Sequence, residues 1–199
     1  MFESYPSPFA PLEGTTPRPR AIFIDRWGTL LEVPEEGFAR SPDDLSFFPN
    51  VLETLFRASR AGWLLYLVGN EDAVARGDLS EASWQAIETH LLERLARAGV
   101  PVRSSYAGLD QADSVYRLPN TGAFYHAAHS DGIELRESWV IGDSTLELVA
   151  GWRAGCRQIG VRTGIGLADG AYEVDPEFVS ADLVTAVTDL LHRQHALHP

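Results

Sequence analysis

The sequence contains no lysine. All 16 of its basic residues are arginine and 28 residues are acidic, which gives a formal net charge of −12 at pH 7. A surplus of negative charge disfavours binding to the phosphate backbone of a nucleic acid or to an anionic membrane surface, so we expect neither as the main partner. A small-molecule metabolite or a protein partner is expected instead.

Cysteine and long apolar runs are also scarce. The single cysteine, Cys156, excludes an internal disulfide and argues against a cysteine-based zinc site. No run of apolar residues is long enough to predict a membrane span. The N-terminal residues do not show the basic start and apolar segment of a secretory signal, so we expect a cytoplasmic protein.

The chain is organised as an arm followed by one domain. Prolines at positions 6, 8, 11, 17 and 19 predict an extended arm over residues 1–20, because proline disrupts helices and central strands. Residues 21–199 are long enough for a single domain with a substantial core. Short apolar runs predict strands near 21–25, 63–68, 100–106, 138–141 and 158–161. Helices are predicted to follow Asn50 and Ser80, to span about 122–131 and 145–154, and to follow Ser180.

Strands that alternate with helices in this way predict an α/β fold with a mainly parallel sheet. Two of the strands run into aspartates, Asp25 and Asp143. If these strands are neighbours, both carboxylates lie at one edge of the sheet, where they would suit Mg²⁺ and where Asp25 could attack phosphorus. The same pattern is compatible with an ordinary loop acid at Asp25 and a simple helix cap at Asp143.

Five segments, in the order of the chain, resemble motifs of the haloacid dehalogenase (HAD) superfamily, subfamily III. They are most similar to the branch that contains D-glycero-D-manno-heptose 1,7-bisphosphate phosphatase and the histidinol phosphatase domain. The segments are Ile24-Asp25-Arg26-Trp27-Gly28-Thr29-Leu30, Phe47-Phe48-Pro49-Asn50, Asn70 with Val74-Ala75-Arg76-Gly77, Arg117-Leu118-Pro119 and Val140-Ile141-Gly142-Asp143.

This resemblance implies a fold and a set of roles. The fold is a three-layer α/β/α sandwich of Rossmannoid type with a mainly parallel sheet and no large cap domain. Asp25 takes the position of the nucleophile, and Mg²⁺ would be held by Asp25, Asp143 and Glu147. Contacts with phosphate are implied for Asn70, Arg76 and Arg117. The zinc-binding loop of the branch is absent between residues 106 and 117, so no zinc is expected.

Three positions depart from the motifs. Trp27 replaces the general acid, Gly69 replaces a Thr or Ser, and Leu118 replaces the lysine that pairs with nucleophile and phosphate. An indole has no proton that titrates near neutral pH, and general acid catalysis typically contributes about 10²–10⁴-fold to a rate. The missing lysine cannot come from elsewhere in the chain, although Arg76 or Arg117 could compensate in part.

The departures lead to three hypotheses. The first is a phosphatase-fold protein with an eroded, catalytically impaired or inactive site that acts by binding a metabolite or a partner. The alternative is an active Mg²⁺-dependent phosphohydrolase that acts on a small ester of the sugar phosphate or histidinol phosphate class, with Asp25 as nucleophile. A minor alternative is a dehalogenase-type hydrolase, because dehalogenases of the superfamily also carry an aromatic residue at the position of Trp27.

Overall fold

The computed structural model describes residues 18–110 and 114–197. The predicted arm therefore lies outside the described residues, except for positions 18–20. These three residues lie against the domain, since Arg18 Nε donates a hydrogen bond to the Gly132 carbonyl at 3.0 Å and the Pro19 carbonyl accepts one from Glu134 N at 2.8 Å.

Six strands form one sheet in the order β3-β2-β1-β4-β5-β6, and every pairing of neighbours is parallel. The strands are β1 Ala21–Asp25, β2 Leu64–Val68, β3 Val102–Ser105, β4 Trp139–Gly142, β5 Arg157–Val161 and β6 Phe178–Ser180. The predicted parallel sheet is confirmed, with one strand, β6, beyond those predicted from the apolar runs.

Helices cover both faces of the sheet. They are α1 Val51–Arg60, α2 Asp72–Arg76, α3 Glu81–Arg97, α4 Gly122–Asp131, α5 Thr145–Ala154 and α6 Leu183–Leu197, with short 3-10 turns at Pro42–Asp44 and Leu135–Glu137. Side chains of β1 alternate between the two faces: Ile22 and Ile24 pack in the core with α1, α3 and α6, whereas Phe23 packs with α4 and α5. The three-layer sandwich is confirmed.

The starts of the helices show where local signals are reliable. Ser80 caps α3 as predicted, because its hydroxyl oxygen accepts from Ser83 N at 3.1 Å. Asn50 precedes α1 but has a positive φ of 64° and makes no capping hydrogen bond, so the predicted cap is not formed. Ser180 belongs to β6, and Asp182 takes over the capping role with an oxygen that accepts from Thr185 N at 2.7 Å.

Among the helices of the described chain, none has the length and apolar character needed to cross a membrane.

Candidate active site

The strand order places the candidate site. β1 lies between β2 and β4, so the sheet reverses its winding there and leaves a crevice at the carboxyl ends of these strands, where ligands of open α/β sheets bind. Asp25 is the last residue of β1, and Asp143 directly follows β4. Because Ile24 pairs with Ile141, the two aspartates leave neighbouring strands at the same edge. The two strands that run into aspartates are therefore neighbours, as the prediction of a shared site required.

Three carboxylates are buried at this edge. Asp25, Asp143 and Glu147 are each no more than 6% exposed. Burial, followed by the negative charges of Glu147 and Asp143, raises the pKa of Asp25 well above its usual range. Burial raises the pKa of Asp143 as well, and it raises that of Glu147 to about 7. The edge therefore concentrates negative charge that a cation would stabilise.

The three acids differ in whether their carboxylate oxygens have hydrogen-bond partners. Asp143 Oδ2 accepts from Ile165 N at 2.7 Å. The Ser144 hydroxyl donates to Glu147 Oε2. Asp25 Oδ2 is buried and has no hydrogen-bond partner among the described residues. An unpartnered carboxylate oxygen is costly to bury, so this atom is suited to a ligand.

The donor set fits Mg²⁺. Within residues 18–110 and 114–197, no group of three His, Cys, Asp or Glu side chains forms a complete metal-binding cluster. Mg²⁺ does not require one, since it typically takes one or two carboxylates and fills its shell with water and phosphate oxygens. Asp25 and Asp143 would supply those carboxylates. Because Ser144 already binds Glu147, the role of Glu147 as a ligand stays a prediction.

Two glycines make room for Asp143. Gly28 and Gly164 have positive φ angles of 83° and 58°, which side chains with a Cβ rarely adopt. A Cβ at either position would collide with Asp143 Oδ2. The turn after β1 and the turn after β5 therefore approach the carboxylate through glycine backbone.

Arg26 is a buried cation beside Asp25, and it was not among the residues predicted from the sequence. It is 2% exposed. Its Nη1 donates to the Tyr106 carbonyl at 3.2 Å, and its Nη2 donates to Ser105 Oγ at 2.5 Å and to Glu88 Oε1 at 3.3 Å. The signal that could have identified it is its position directly after Asp25.

Gly69 explains where the guanidinium of Arg26 sits. A Cβ at Gly69 would lie 3.0 Å from Asp25 Oδ1 and 3.2 Å from Arg26 Nη1. The Thr or Ser expected at this position would therefore press on both groups. The carboxylate and the guanidinium both border this position, and the charge of Arg26 lowers the pKa of Asp25 against the effect of burial.

Trp27 points its indole N–H at a carboxylate. Its Nε1 donates to Glu71 Oε2 at 3.0 Å. Glu71 is 4% exposed, and burial raises its pKa. Sequence reasoning missed this acid, although its position three residues after the end of β2 places it at the functional edge.

Asn70 ties together two segments of the site. Its Oδ1 accepts from Leu118 N at 2.8 Å, and its Nδ2 donates to the Leu118 carbonyl at 3.0 Å. The Leu118 side chain is 3% exposed and packs in the same core cluster as Phe23 and Phe124. Asn70 therefore positions the loop that carries Leu118, and its contact with phosphate stays a prediction.

The two arginines predicted to contact phosphate differ in their surroundings. Arg76 is about half exposed and pairs with Asp78 at 2.8 Å. Arg117 pairs through Nη2 with Asp72 at 2.7 Å, while its Nη1 is buried without a partner among the described residues. Both roles remain predictions, and Arg117 has the guanidinium nitrogen that suits a further acceptor.

Comparison with known proteins agrees with this architecture. The family model described as HAD-hydrolase-like matches residues 115–186. The chain is 32% identical over 188 residues to D-glycero-D-manno-heptose-1,7-bisphosphate 7-phosphatase of Thermosynechococcus vestitus, covering 86% of this chain and 94% of that protein. It is 30% identical over 167 residues to the D-glycero-beta-D-manno-heptose-1,7-bisphosphate 7-phosphatase of Haemophilus ducreyi, covering 78% and 91% of the two chains.

A solved structure shows the same fold. The D,D-heptose 1,7-bisphosphate phosphatase from B. bronchiseptica, complexed with magnesium and phosphate, superimposes with a TM-score of 0.77 at 28% identity and covers 87% of this chain and 99% of that one. The chain belongs to the HAD superfamily of phosphatases. Within it, the relatives with which it shares most of its length are heptose bisphosphate phosphatases.

Proposed function

We propose that this protein is a Mg²⁺-dependent phosphohydrolase that acts on a small sugar phosphate, with Asp25 as its nucleophile. The observation that carries the proposal is the buried, unpartnered Oδ2 of Asp25 next to Asp143 at the carboxyl edge of the sheet. Buried carboxylates without a counter-charge destabilise a fold. Keeping them is reasonable when a cation and a phosphate complete the site.

The relatives support the choice of substrate class. Those of Thermosynechococcus vestitus and Haemophilus ducreyi are named as 7-phosphatases of heptose 1,7-bisphosphate, and the matching solved structure holds magnesium and phosphate. A sugar bisphosphate is a small polar metabolite, which is compatible with the acidic chain because Mg²⁺ can accompany its phosphates. We therefore place a sugar phosphate, with a heptose bisphosphate as the first candidate, in the crevice.

The residues of the site would divide the work as follows. A carboxylate oxygen of Asp25 attacks the phosphorus and forms an aspartyl-phosphate. Arg26, whose charge acts on Asp25, and Arg117, whose Nη1 has no partner among the described residues, would supply positive charge in place of the missing lysine. Mg²⁺ held by Asp25 and Asp143 would neutralise charge on the phosphate. Phosphoryl transfer depends mostly on positioning and charge neutralisation, so these groups provide its main requirements.

A second candidate is a binding protein with an impaired site. It is favoured by Trp27 and by Leu118, which bring apolar side chains to positions where the superfamily motif has an acid and a lysine. Such a protein would retain a metabolite or partner without turning it over. The structure adds no observation in favour of the dehalogenase hypothesis.

Hydrolysis of p-nitrophenyl phosphate and of heptose 1,7-bisphosphate with Mg²⁺ tests the proposal. We expect turnover that Asp25→Asn abolishes and that Asp43→Asn, a change at an exposed aspartate, leaves intact. Equal background rates for the wild type and Asp25→Asn on both substrates would refute the phosphohydrolase. A thermal shift with heptose bisphosphate in that case would support the binding protein.

A further inference from the structure

The proposed reaction needs a group that gives a proton to the departing sugar oxygen, and Trp27 cannot do so. Resting on the proposed function, we propose that Glu71 is the general acid and base of this site. Its carboxyl group would do the work of the general acid that the family motif has at the position of Trp27.

Glu71 has the right position in the sheet. It follows β2 by three residues, and β2 pairs with β1 so that Val68 lies beside Asp25. Glu71 and Trp27 therefore leave two adjacent strands at the same edge, where the indole N–H donates to Glu71 Oε2 at 3.0 Å. The backbone N–H of Glu71 donates to the Gly108 carbonyl at 2.9 Å, so both ends of the residue are held.

The hydrogen bond from Trp27 selects which oxygen carries a proton. Because the indole N–H occupies Oε2, a neutral Glu71 carries its hydrogen on Oε1. Trp27 itself only donates, so it cannot compete for that hydrogen. In this arrangement the tryptophan is a positioning residue for the acid.

The surroundings of Glu71 favour the neutral form. Burial raises its pKa, and it outweighs the opposing effects of the Trp27 hydrogen bond and the charge of Arg26. The negative charges of Glu88 and Asp72 raise the pKa further. A carboxyl group whose pKa is raised towards neutrality is suited to donate a proton in one step and to accept one in the next.

The two steps balance as follows. Asp25 attacks phosphorus, the bond between phosphorus and the sugar oxygen breaks with its electron pair on that oxygen, and the oxygen takes the proton from Glu71 Oε1. In the second step the Glu71 carboxylate takes a proton from water while the water oxygen attacks the aspartyl-phosphate. The bond between phosphorus and Asp25 breaks, which releases inorganic phosphate and restores both residues. The sum is a phosphate ester and water giving an alcohol and phosphate.

The test compares two leaving groups. The Glu71→Gln variant keeps an oxygen that can accept from the Trp27 indole but loses the transferable proton. We expect kcat/KM on glycerol phosphate, whose alcohol leaves poorly, to fall about 10²–10⁴-fold. On p-nitrophenyl phosphate, which needs little protonation, we expect a fall of less than tenfold for the first step. Glu81→Gln, at an exposed acid that begins α3, is the matched control and should change neither rate.

The pH profile provides a second readout. Protonated Glu71 is required in the first step, so the wild-type rate on glycerol phosphate should fall as the pH rises above the pKa of Glu71, and Glu71→Gln should remove that limb. Trp fluorescence and thermal unfolding of Glu71→Gln are expected to match the wild type, which excludes misfolding as the cause.

Two results would overturn the assignment. If Glu71→Gln slows both substrates equally, or neither, Glu71 only holds Trp27 in place. If p-nitrophenyl phosphate is turned over in an Asp25-dependent way, but Glu71→Gln leaves the ratio of kcat/KM on glycerol phosphate to that on p-nitrophenyl phosphate unchanged, the proposed function stands and the role of Glu71 alone is refuted. If wild type and Asp25→Asn are equally inactive, both fail.

Discussion

Replacing Asn70 by alanine tests how the two sides of the crevice are held together. The Asn70 amide makes two hydrogen bonds to the backbone of Leu118, at 2.8 and 3.0 Å, across 48 positions of sequence. Leu118 N–H and C=O belong to a residue that is only 3% exposed, so water cannot readily replace the lost partner. The change therefore removes two bonds and leaves two buried backbone groups unpaired.

The expected cost follows from those two bonds. Leaving a buried backbone donor or acceptor without its partner costs about 1–3 kcal/mol for each group, so Asn70→Ala should lower the free energy of unfolding by about 2–6 kcal/mol. For a domain of this size each kcal/mol corresponds to about 2–4 °C in Tm. A fall in Tm of about 4–8 °C is expected for a loss of about 2 kcal/mol.

Urea unfolding followed by tryptophan fluorescence measures this effect. Asn120→Ala is the matched control, because the Asn120 side chain makes one hydrogen bond, to the Ser114 carbonyl at 2.9 Å, in an exposed setting. We expect a cost below about 1 kcal/mol there. Asn70→Asp should fall close to Asn70→Ala, since aspartate accepts from Leu118 N–H but opposes its carbonyl oxygen. If Asn70→Ala costs no more than Asn120→Ala, Asn70 does not hold the loop.

Two further predictions concern buried charges and the thiol. Arg26→Met should lower the free energy of unfolding by about 3–5 kcal/mol, because it leaves Glu88 without its buried partner. Arg157→Met, which breaks an exposed pair with Glu177, should lower it by less than about 1 kcal/mol. Similar costs for the two variants in urea unfolding would contradict this. Burial raises the pKa of Cys156 to about 12, so Ellman's reagent at pH 8 should not label the native protein and should label it after unfolding in urea; rapid labelling of the native protein would show that the thiol is accessible.

The sequence alone was sufficient for the elements with strong local signals. Mainly apolar runs identified β1, β2, β4 and β5, since strands buried on both faces carry mostly apolar side chains. Ser80 marked the start of α3, since a serine cap acts within three residues of the chain. The three-residue strand β6 has no such run, and no local pattern predicts a strand there.

The site itself depended on contacts that no local pattern contains. That Asp25 and Asp143 meet required β4 to lie next to β1, which is a matter of strand order. Arg26 reached its partners across about 60–80 positions of sequence, and Trp27 met Glu71 across 44. The position of Asp25 at the end of a strand and the resemblance to the HAD motifs indicated a nucleophile position and the replaced acid and lysine. Only the tertiary packing around β1 brought Arg26 to Glu88 and Ser105, and Trp27 to Glu71.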